Sequence, residues 1–126
     1  MEWRISADSP IYAQLARQMR LEIASGGRAP GEKLPPVREL ALSAGVNPNT
    51  MQRAMAELER EGLVYAQRTA GRFVTEDAGK IAAARSALAR EETEKYLRAM
   101  AALGCAPAEV AELVRETGEE DANADT

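Results

Sequence analysis

The chain has 126 residues, a formal net charge of −4 at pH 7, one cysteine and no histidine. That length suits one ordinary domain, or one small domain with an appendage, and argues against a multi-domain enzyme. The single cysteine and the lack of histidine exclude disulfide frameworks, Cys/His zinc sites, Ser-His triads and histidine acid–base catalysis, so we expect no enzyme, metal site or cofactor.

The position of the charges decides which partners stay open to the chain. Residues 1–77 carry ten Lys/Arg and ten Asp/Glu, a net charge of 0, whereas residues 78–126 carry six and ten, a net charge of −4. The acidity belongs to the second part, so nucleic acid stays open as a partner of the first part. The acidic residues are mixed with Lys and Arg, which is typical of solvated charge rather than of catalytic carboxylates.

The sequence shows no membrane or secretory signal. No apolar run approaches the roughly 18 to 20 residues of a membrane helix. The start, "MEWRISADSP", lacks the apolar stretch of a signal peptide. We therefore expect a cytoplasmic protein without a membrane partner.

Two helices are predicted in the first third of the chain. The first follows Pro10 and ends at a glycine pair, with apolar residues recurring every four positions at Ile11, Leu15, Met19 and Ile23. The connector "RAPGEKLPP" has Leu34 as its large apolar residue, which we expect to anchor this loop to the core. The second helix is short, ends at Gly45, and has an inward face formed by Val37, Leu40, Ala41 and Ala44.

A third helix follows after a turn of about three residues. Asn47 can cap it, Pro48 can begin it and Gly62 can end it. Its predicted inward face consists of Met51, Ala54, Met55 and Leu58. Two strand-like runs, "LVYAQ" and "RFVTE", flank "RTAG" and predict a hairpin with Gly71 near its bend.

The C-terminal part predicts a long helix over residues 78–103 and a short one over residues 107–116. Its apolar residues need a covering partner, and they are Ile81, Leu88, Tyr96, Leu97, Met100, Leu103, Val110, Leu113 and Val114. A segment this short rarely folds alone, so we expect these residues to form the interface of a homodimer. The chain is therefore predicted to have three parts: a first domain over residues 1–77, a dimerisation region over residues 78–117, and a disordered acidic tail over residues 118–126.

The charges of the third helix are reversed relative to its dipole. A helix N-terminus favours negative partners and its C-terminus favours positive ones. Here the first turns contain Asn49, Thr50, Gln52 and Arg53. The last turn contains Glu57, Glu59 and Glu61. A DNA phosphate or base-edge acceptor would supply the missing negative partner at the N-terminus, whereas the C-terminus would point away from the DNA.

Three helices, of which the last two are joined by a tight turn, followed by a hairpin, predict a winged helix-turn-helix. In that arrangement the third helix enters the major groove. Asn and Gln can pair with adenine, Arg with guanine, and Thr with a phosphate or a thymine methyl group. The predicted fold is therefore mainly α (α+β), a DNA-binding winged helix followed by a short α-helical dimerisation region. The alternative, an ordinary polar helix face, is disfavoured by the turn and the hairpin.

Three motifs, "PGEKLPPVRELA", "GVNPNTMQRAMAELEREGLV" and "RTAGRFV", resemble the N-terminal domain of GntR-type bacterial transcription regulators. The resemblance covers residues 9 to about 77. The short two-helix remainder is similar to the YtrA branch, whose members dimerise through these helices. The resemblance implies a homodimeric repressor that binds an inverted-repeat operator in double-stranded DNA.

The resemblance also implies roles for individual residues. Arg38 would contact a phosphate or a base. The recognition positions would be Asn47, Asn49, Thr50 and Gln52, and the wing residues would be Arg68, Thr69, Gly71 and Arg72. The last of these adds a cation that many relatives lack. Because many relatives have arginines at the positions of Pro48 and Gln52, their base preference does not transfer to this chain.

Each of these contacts has a structural alternative. Arg38 could instead form a salt bridge with Glu32 or Glu39. The wing arginines could only keep the hairpin solvated. Weaker candidates for phosphate contacts are Tyr12 and Lys33.

A different function also stays open. A winged helix that binds protein rather than DNA would be favoured if the interface side chains formed intramolecular pairs; the side chains that decide this are Arg38, Gln52, Arg53 and Arg68. A small-molecule effector between the C-terminal helices is a further partner to consider, although no convergent polar residues mark a site for it.

Overall fold

In the computed structural model, which describes residues 1–124, helices and one hairpin form a mainly α fold. The elements of the winged helix are α1 (Ile11–Ser25), α2 (Val37–Ala44), α3 (Pro48–Arg60), β1 (Val64–Gln67) and β2 (Gly71–Val74). Two further helices follow, α4 (Ala78–Ala102) and α5 (Pro107–Ala124). The predicted order of three helices, a hairpin and two helices is confirmed. None of the helices within residues 1–124 is both long and apolar enough to cross a membrane.

One apolar face of each of the first three helices builds the core. The α3 helix buries Met51, Ala54, Met55 and Leu58, as the three- and four-residue spacing predicts. The α1 helix buries Leu15, Ala16, Met19 and Ile23, and α2 buries Leu40 and Ala41. Ile11, the first residue of the apolar repeat, does not join this core: it lines an open cleft and is 42% exposed.

The turn between α2 and α3 consists of Gly45, Val46 and Asn47. Gly45 has a φ of 69°, a left-handed conformation that favours glycine, and the Val46 N–H donates to the carbonyl of Ala41 at 3.0 Å. The side-chain oxygen of Asn47 then accepts a hydrogen bond from the Asn49 N–H at 2.8 Å and caps α3. The predicted tight turn is confirmed, and its three residues connect the two helices directly.

The hairpin is antiparallel, with Val64 opposite Val74 and Tyr65 opposite Phe73. The connector before α2, which the sequence predicted as a loop, runs along the other side of β2. The Leu34 N–H donates to the carbonyl of Arg72 at 2.9 Å, and this leucine is buried as predicted. Prolines and glycines obscure the strand signal of the connector, but its backbone still pairs with β2 and covers one edge of the wing.

The segment before α1 lies along that helix, which no sequence signal predicted. Gln18 exchanges two hydrogen bonds with the backbone of Arg4, at 2.9 and 2.5 Å. Gln14 does the same with Ser6, at 2.8 and 2.9 Å. Residues four apart on a helix are about 6 Å apart along its axis, and residues two apart on an extended chain are separated by about 6.6 Å. This match lets two glutamines hold the segment against α1.

The chain divides into two compact units, Met1–Ser86 and the remainder from Ala87. The first turns of α4 belong to the first unit, because Ile81 and Ala84 pack against the core of the winged helix. The partial burial of Ile81 is therefore explained without a second copy of the chain. The sequence placed this boundary earlier, at residue 77, where the hairpin ends.

The α5 helix continues to Ala124, so residues 118–124 are helical where the sequence predicted a disordered tail. Asp125 and Thr126 lie outside the described residues. Arg115 hydrogen-bonds Glu112 and also Glu119 at 2.9 Å, and pairs at this spacing stabilise a helix locally without burial. The Arg115 guanidinium also lowers the pKa of the Glu112 carboxyl below its ordinary value.

Backbone strain is present at the tip of the hairpin. The Ala70 N–H donates to the carbonyl of Gln67 at 3.1 Å, so Thr69 is the third residue of a β-turn. Its φ of 125° lies in the region that favours glycine and that β-branched residues rarely adopt.

We predict that Thr69→Gly raises the free energy of unfolding by about 1 kcal/mol, because relief of strain exceeds the added flexibility of the unfolded chain. Ala70→Gly is the matched control, since Ala70 is not among the residues with positive φ. It should lower the free energy of unfolding by about 0.5–1 kcal/mol. Chemical denaturation measures both, and a loss of stability in both variants would show that Thr69 is unstrained.

Candidate nucleic-acid interface

The outer face of α3 carries polar side chains that the protein does not use internally. Asn49 and Gln52 are exposed and Thr50 is half-buried. Within residues 1–124, the side chains of these three residues make no hydrogen bond to the protein. Asn47 differs, because its side-chain oxygen already accepts the hydrogen bond that caps α3, whereas its amide nitrogen keeps its N–H donors for another molecule.

Two predicted contact cations are unpaired in the described part of the chain. Arg38 in the first turn of α2 and Arg68 at the wing are both exposed and form no ion pair there. The alternative partner Glu32 is engaged by Arg28 at 3.3 Å. The structure therefore gives no support to a salt bridge as the role of Arg38.

The Arg72 side chain is not a free cation of the wing. It lies on β2 and forms a half-buried ion pair with Glu59 near the end of α3. The sequence could not predict this pair, because the two residues come together only when the hairpin folds back beside α3. Arg72 thus links the wing to α3. Because Glu59 partly neutralises its guanidinium, Arg72 attracts an anionic ligand less strongly than an unpaired arginine would.

The other two glutamates at the end of α3 are also paired. Glu61 accepts two hydrogen bonds from Arg20 of α1, both at 2.7 Å, and Glu57 pairs with Arg60 at 2.8 Å. Bidentate contacts of this kind are the stronger form of arginine–carboxylate pair. The negative charge at the C-terminal end of α3 is therefore compensated within the protein, which the sequence analysis did not foresee.

Arg53 has an intramolecular contact of another kind. Its guanidinium carbon lies 3.7 Å from the centre of the Tyr12 ring, which is a cation–π contact and not an ion pair. Among the side chains that decide between protein and DNA binding, Arg53 is the one with an intramolecular partner in residues 1–124. The protein-binding alternative therefore has little support.

Three open clefts border this face, and all lie in the first unit. The first, of about 370 Å³, is formed by the start of α2, the wing and α3, and it brings together Lys33, Gln52, Thr69, Gly71 and Arg72. The second, of about 350 Å³, is lined by Pro10, Ile11, Tyr12, Asn49, Thr50 and Arg53. The third, of about 410 Å³, contains Arg38 together with Leu42, Val46 and Pro48. Most of the contact residues predicted on α2, α3 and the wing thus line one of these three clefts, whereas Asn47 and Arg68 line none of them.

Leu42 was not predicted as part of this surface. It is 83% exposed on α2, one turn after Arg38.

Within residues 1–124, no group of three or more His, Cys, Asp and Glu side chains could hold a metal ion.

The sequence of this chain is similar to a known protein family and to individual bacterial regulators. Residues 11–74, from the start of α1 to the end of β2, match the family model of bacterial regulatory proteins, gntR family. The transcriptional regulator YhcF of Bacillus subtilis is 36% identical over 115 residues, which cover 91% of this chain and 95% of YhcF. The transcriptional repressor YtrA of the same species is 44% identical over 72 residues, which cover 57% of this chain and 55% of YtrA.

The fold of this chain is also similar to solved structures of transcription regulators. A GntR family transcriptional regulator from Listeria monocytogenes has a TM-score of 0.81 at 36% identity, covering 89% of this chain and 98% of that one. The DNA-binding domain of AraR in complex with operator ORX1 has a TM-score of 0.55 at 29% identity, covering 60% of this chain and 96% of that one.

We predict that Glu59→Gln releases Arg72 and raises the affinity for duplex DNA of any sequence. The slope of log K against log salt concentration should steepen by roughly one unit, because one more cation reaches a phosphate. Glu57→Gln is the matched control, since it removes the same charge from α3 but frees Arg60 instead. Titrations at several salt concentrations measure both, and equal steepening would attribute the effect to net charge.

Proposed function

Because the chain belongs to the GntR family of bacterial regulatory proteins, we propose that it binds a specific DNA operator as a homodimer and represses transcription in the cytoplasm. The family consists of transcription regulators rather than enzymes. The observation that carries the DNA-binding proposal is the polar outer face of α3, which makes no internal side-chain hydrogen bond within residues 1–124, together with Arg38 of α2 and Arg68 of the wing, which form no ion pair there.

The bases are read by the N-terminal half of α3. The side-chain amides of Asn49 and Gln52 make no hydrogen bond within residues 1–124, and each can form two hydrogen bonds with an adenine edge in the major groove. Thr50 can bond to a phosphate or contact a thymine methyl group. No carboxylate lies in the first turn of α3, so its positive end can approach the DNA without repulsion.

The phosphates are held on both sides of α3. Arg38 lies at the start of α2 and Arg68 at the tip of the wing, so together they can span the groove that α3 enters. Contacts of this type fix the orientation of the protein and do not depend on sequence. In this proposal Arg72 holds the wing against α3 through Glu59, and Thr69 and Gly71 shape the wing tip.

Two relatives support the finer parts of the proposal. The DNA-binding domain of AraR was solved in complex with an operator. This similarity supports operator binding by the corresponding unit of this chain. YtrA, 44% identical over the matched region, is a transcriptional repressor, which supports repression rather than activation.

The C-terminal helices support dimerisation. In the described part of the second unit, residues 87–124, the buried side chains are Leu88 and Val110. Large apolar side chains are exposed on α4 and α5, namely Tyr96, Leu97, Leu113 and Val114, and Leu103 is exposed in the turn between these helices. A unit with so few buried residues does not stabilise itself, and a two-fold interface would cover the exposed residues in both copies.

Symmetry then sets the form of the operator. Two α3 helices related by a two-fold axis read an inverted repeat, with half-site centres about 34 Å apart or a near multiple of that distance.

The first test separates base contacts from phosphate contacts. After selection of bound sequences from random DNA, Gln52→Ala should weaken binding to the selected site by about 1–3 kcal/mol and change the preferred base at one position. Arg68→Ala should weaken binding to all sequences and make the salt dependence shallower by roughly one unit. If Gln52→Ala weakens matched and unrelated DNA equally, this residue does not read bases.

The second test concerns assembly. Replacing Leu97 and Met100 with Asp should give a monomer with a folded winged helix and a much lower operator affinity, because each half-site alone binds weakly. Leu21→Asp is the matched control, since Leu21 is 39% exposed against 38% for Leu97, and it lies on α1, outside the C-terminal helices and the three clefts that border α3. Light scattering after size exclusion measures the mass, and a double variant that stays dimeric would contradict the proposed interface.

A further inference from the structure

Arg53 and Tyr12 form a contact between two helices that are distant in sequence. Tyr12 is in the first turn of α1 and Arg53 is in the second turn of α3. The guanidinium lies over the face of the ring, 3.7 Å from its centre. Arg53 is exposed, and within residues 1–124 it makes no hydrogen bond or ion pair.

A cation–π contact holds an arginine differently from a carboxylate. A carboxylate occupies the N–H donors of the guanidinium and neutralises its charge, as Glu59 does with Arg72. An aromatic ring contacts only the flat face, so the five N–H donors at the edge stay available. Tyr12 therefore restricts the guanidinium while leaving its charge and hydrogen-bonding capacity intact.

The surroundings of the contact favour an anion. The cleft beside it, of about 350 Å³, is lined by residues that are neutral or basic. Neither α1 nor α3 has an acidic residue in its first turn. The Arg53 side chain contacts Tyr12 of α1 and lines this cleft. Gln52 lines a different cleft, the one of about 370 Å³ beside the wing. A guanidinium at the flank of α3 suits the DNA backbone better than a base edge in the middle of the groove.

We propose that Tyr12 is a positioning residue that orients Arg53 for contact with a backbone phosphate of the operator. This inference rests on the proposed function, because it names a phosphate contact of the same DNA-binding surface. The ring supplies a fixed platform, the guanidinium supplies the phosphate contact, and the tyrosine hydroxyl takes no part.

A double-mutant cycle on the full chain tests the coupling. The variants are Tyr12→Phe, Tyr12→Leu, Arg53→Ala and Tyr12→Leu with Arg53→Ala, each titrated against the selected operator and a shuffled duplex of equal length. Tyr12→Phe keeps the ring and should bind like the wild type. Tyr12→Leu should weaken binding to both duplexes by about two- to fivefold, the range of an exposed cation–π contact.

Arg53→Ala should weaken binding further and make the salt dependence shallower by about one unit. In that background, Tyr12→Leu should have no additional effect, which a merely structural role for Tyr12 would not produce. Equal losses from Tyr12→Leu in both backgrounds would overturn the proposal, and so would a loss in Tyr12→Phe as large as in Tyr12→Leu. Losses confined to the operator would assign Arg53 to a guanine edge instead of a phosphate. Failure of the wild type to bind any selected duplex would overturn the proposed function itself.

Discussion

Burial of the inner face of α3 is the constraint on which the candidate interface depends. Met51, Ala54 and Met55 are each 1% exposed and Leu58 is 0% exposed. Successive residues on a helix are rotated by about 100°, so fixing these side chains in the core also fixes the outward direction of the residues between them. Any repacking that rotated α3 would move the whole polar face at once. The Gly45 turn and the cap by Asn47 set where that face begins.

The arginines of the winged helix fall into two groups according to their partners. Those facing the end of α3 are consumed by carboxylates, as in the pairs of Arg20 with Glu61 and Arg72 with Glu59. In contrast, Arg38, Arg53 and Arg68 have no carboxylate partner in residues 1–124, and Arg53 contacts the aromatic ring of Tyr12. The first unit has little net charge, yet these three arginines are not neutralised by a carboxylate within residues 1–124. Distribution rather than net charge decides whether such a surface can approach DNA.

The sequence predicted most of the winged helix and its family because the signals involved are local. Three of the four residues in the apolar repeat of α1 are buried, and glycine and proline positions located the ends of α2 and α3. The three motifs indicated the GntR family, which the family model confirms. Local reasoning failed for the tail after residue 117, where ion pairs around Arg115 sustain a helix that buries almost nothing. The proposed DNA contacts and the dimer interface stay predictions.

The sequence by itself determined which residues form helices, where the helices turn, and which face of α3 is polar, because those properties arise from residues within a few positions of one another. Only the tertiary structure decided which arginine is neutralised and which stays available. Arg72 and Glu59 are 13 positions apart, whereas Arg20 and Glu61 are 41 apart. Side chains at such separations meet only through the packing of α1, α3 and the wing. The choice of partner depends on distance in space, which the order of residues does not state.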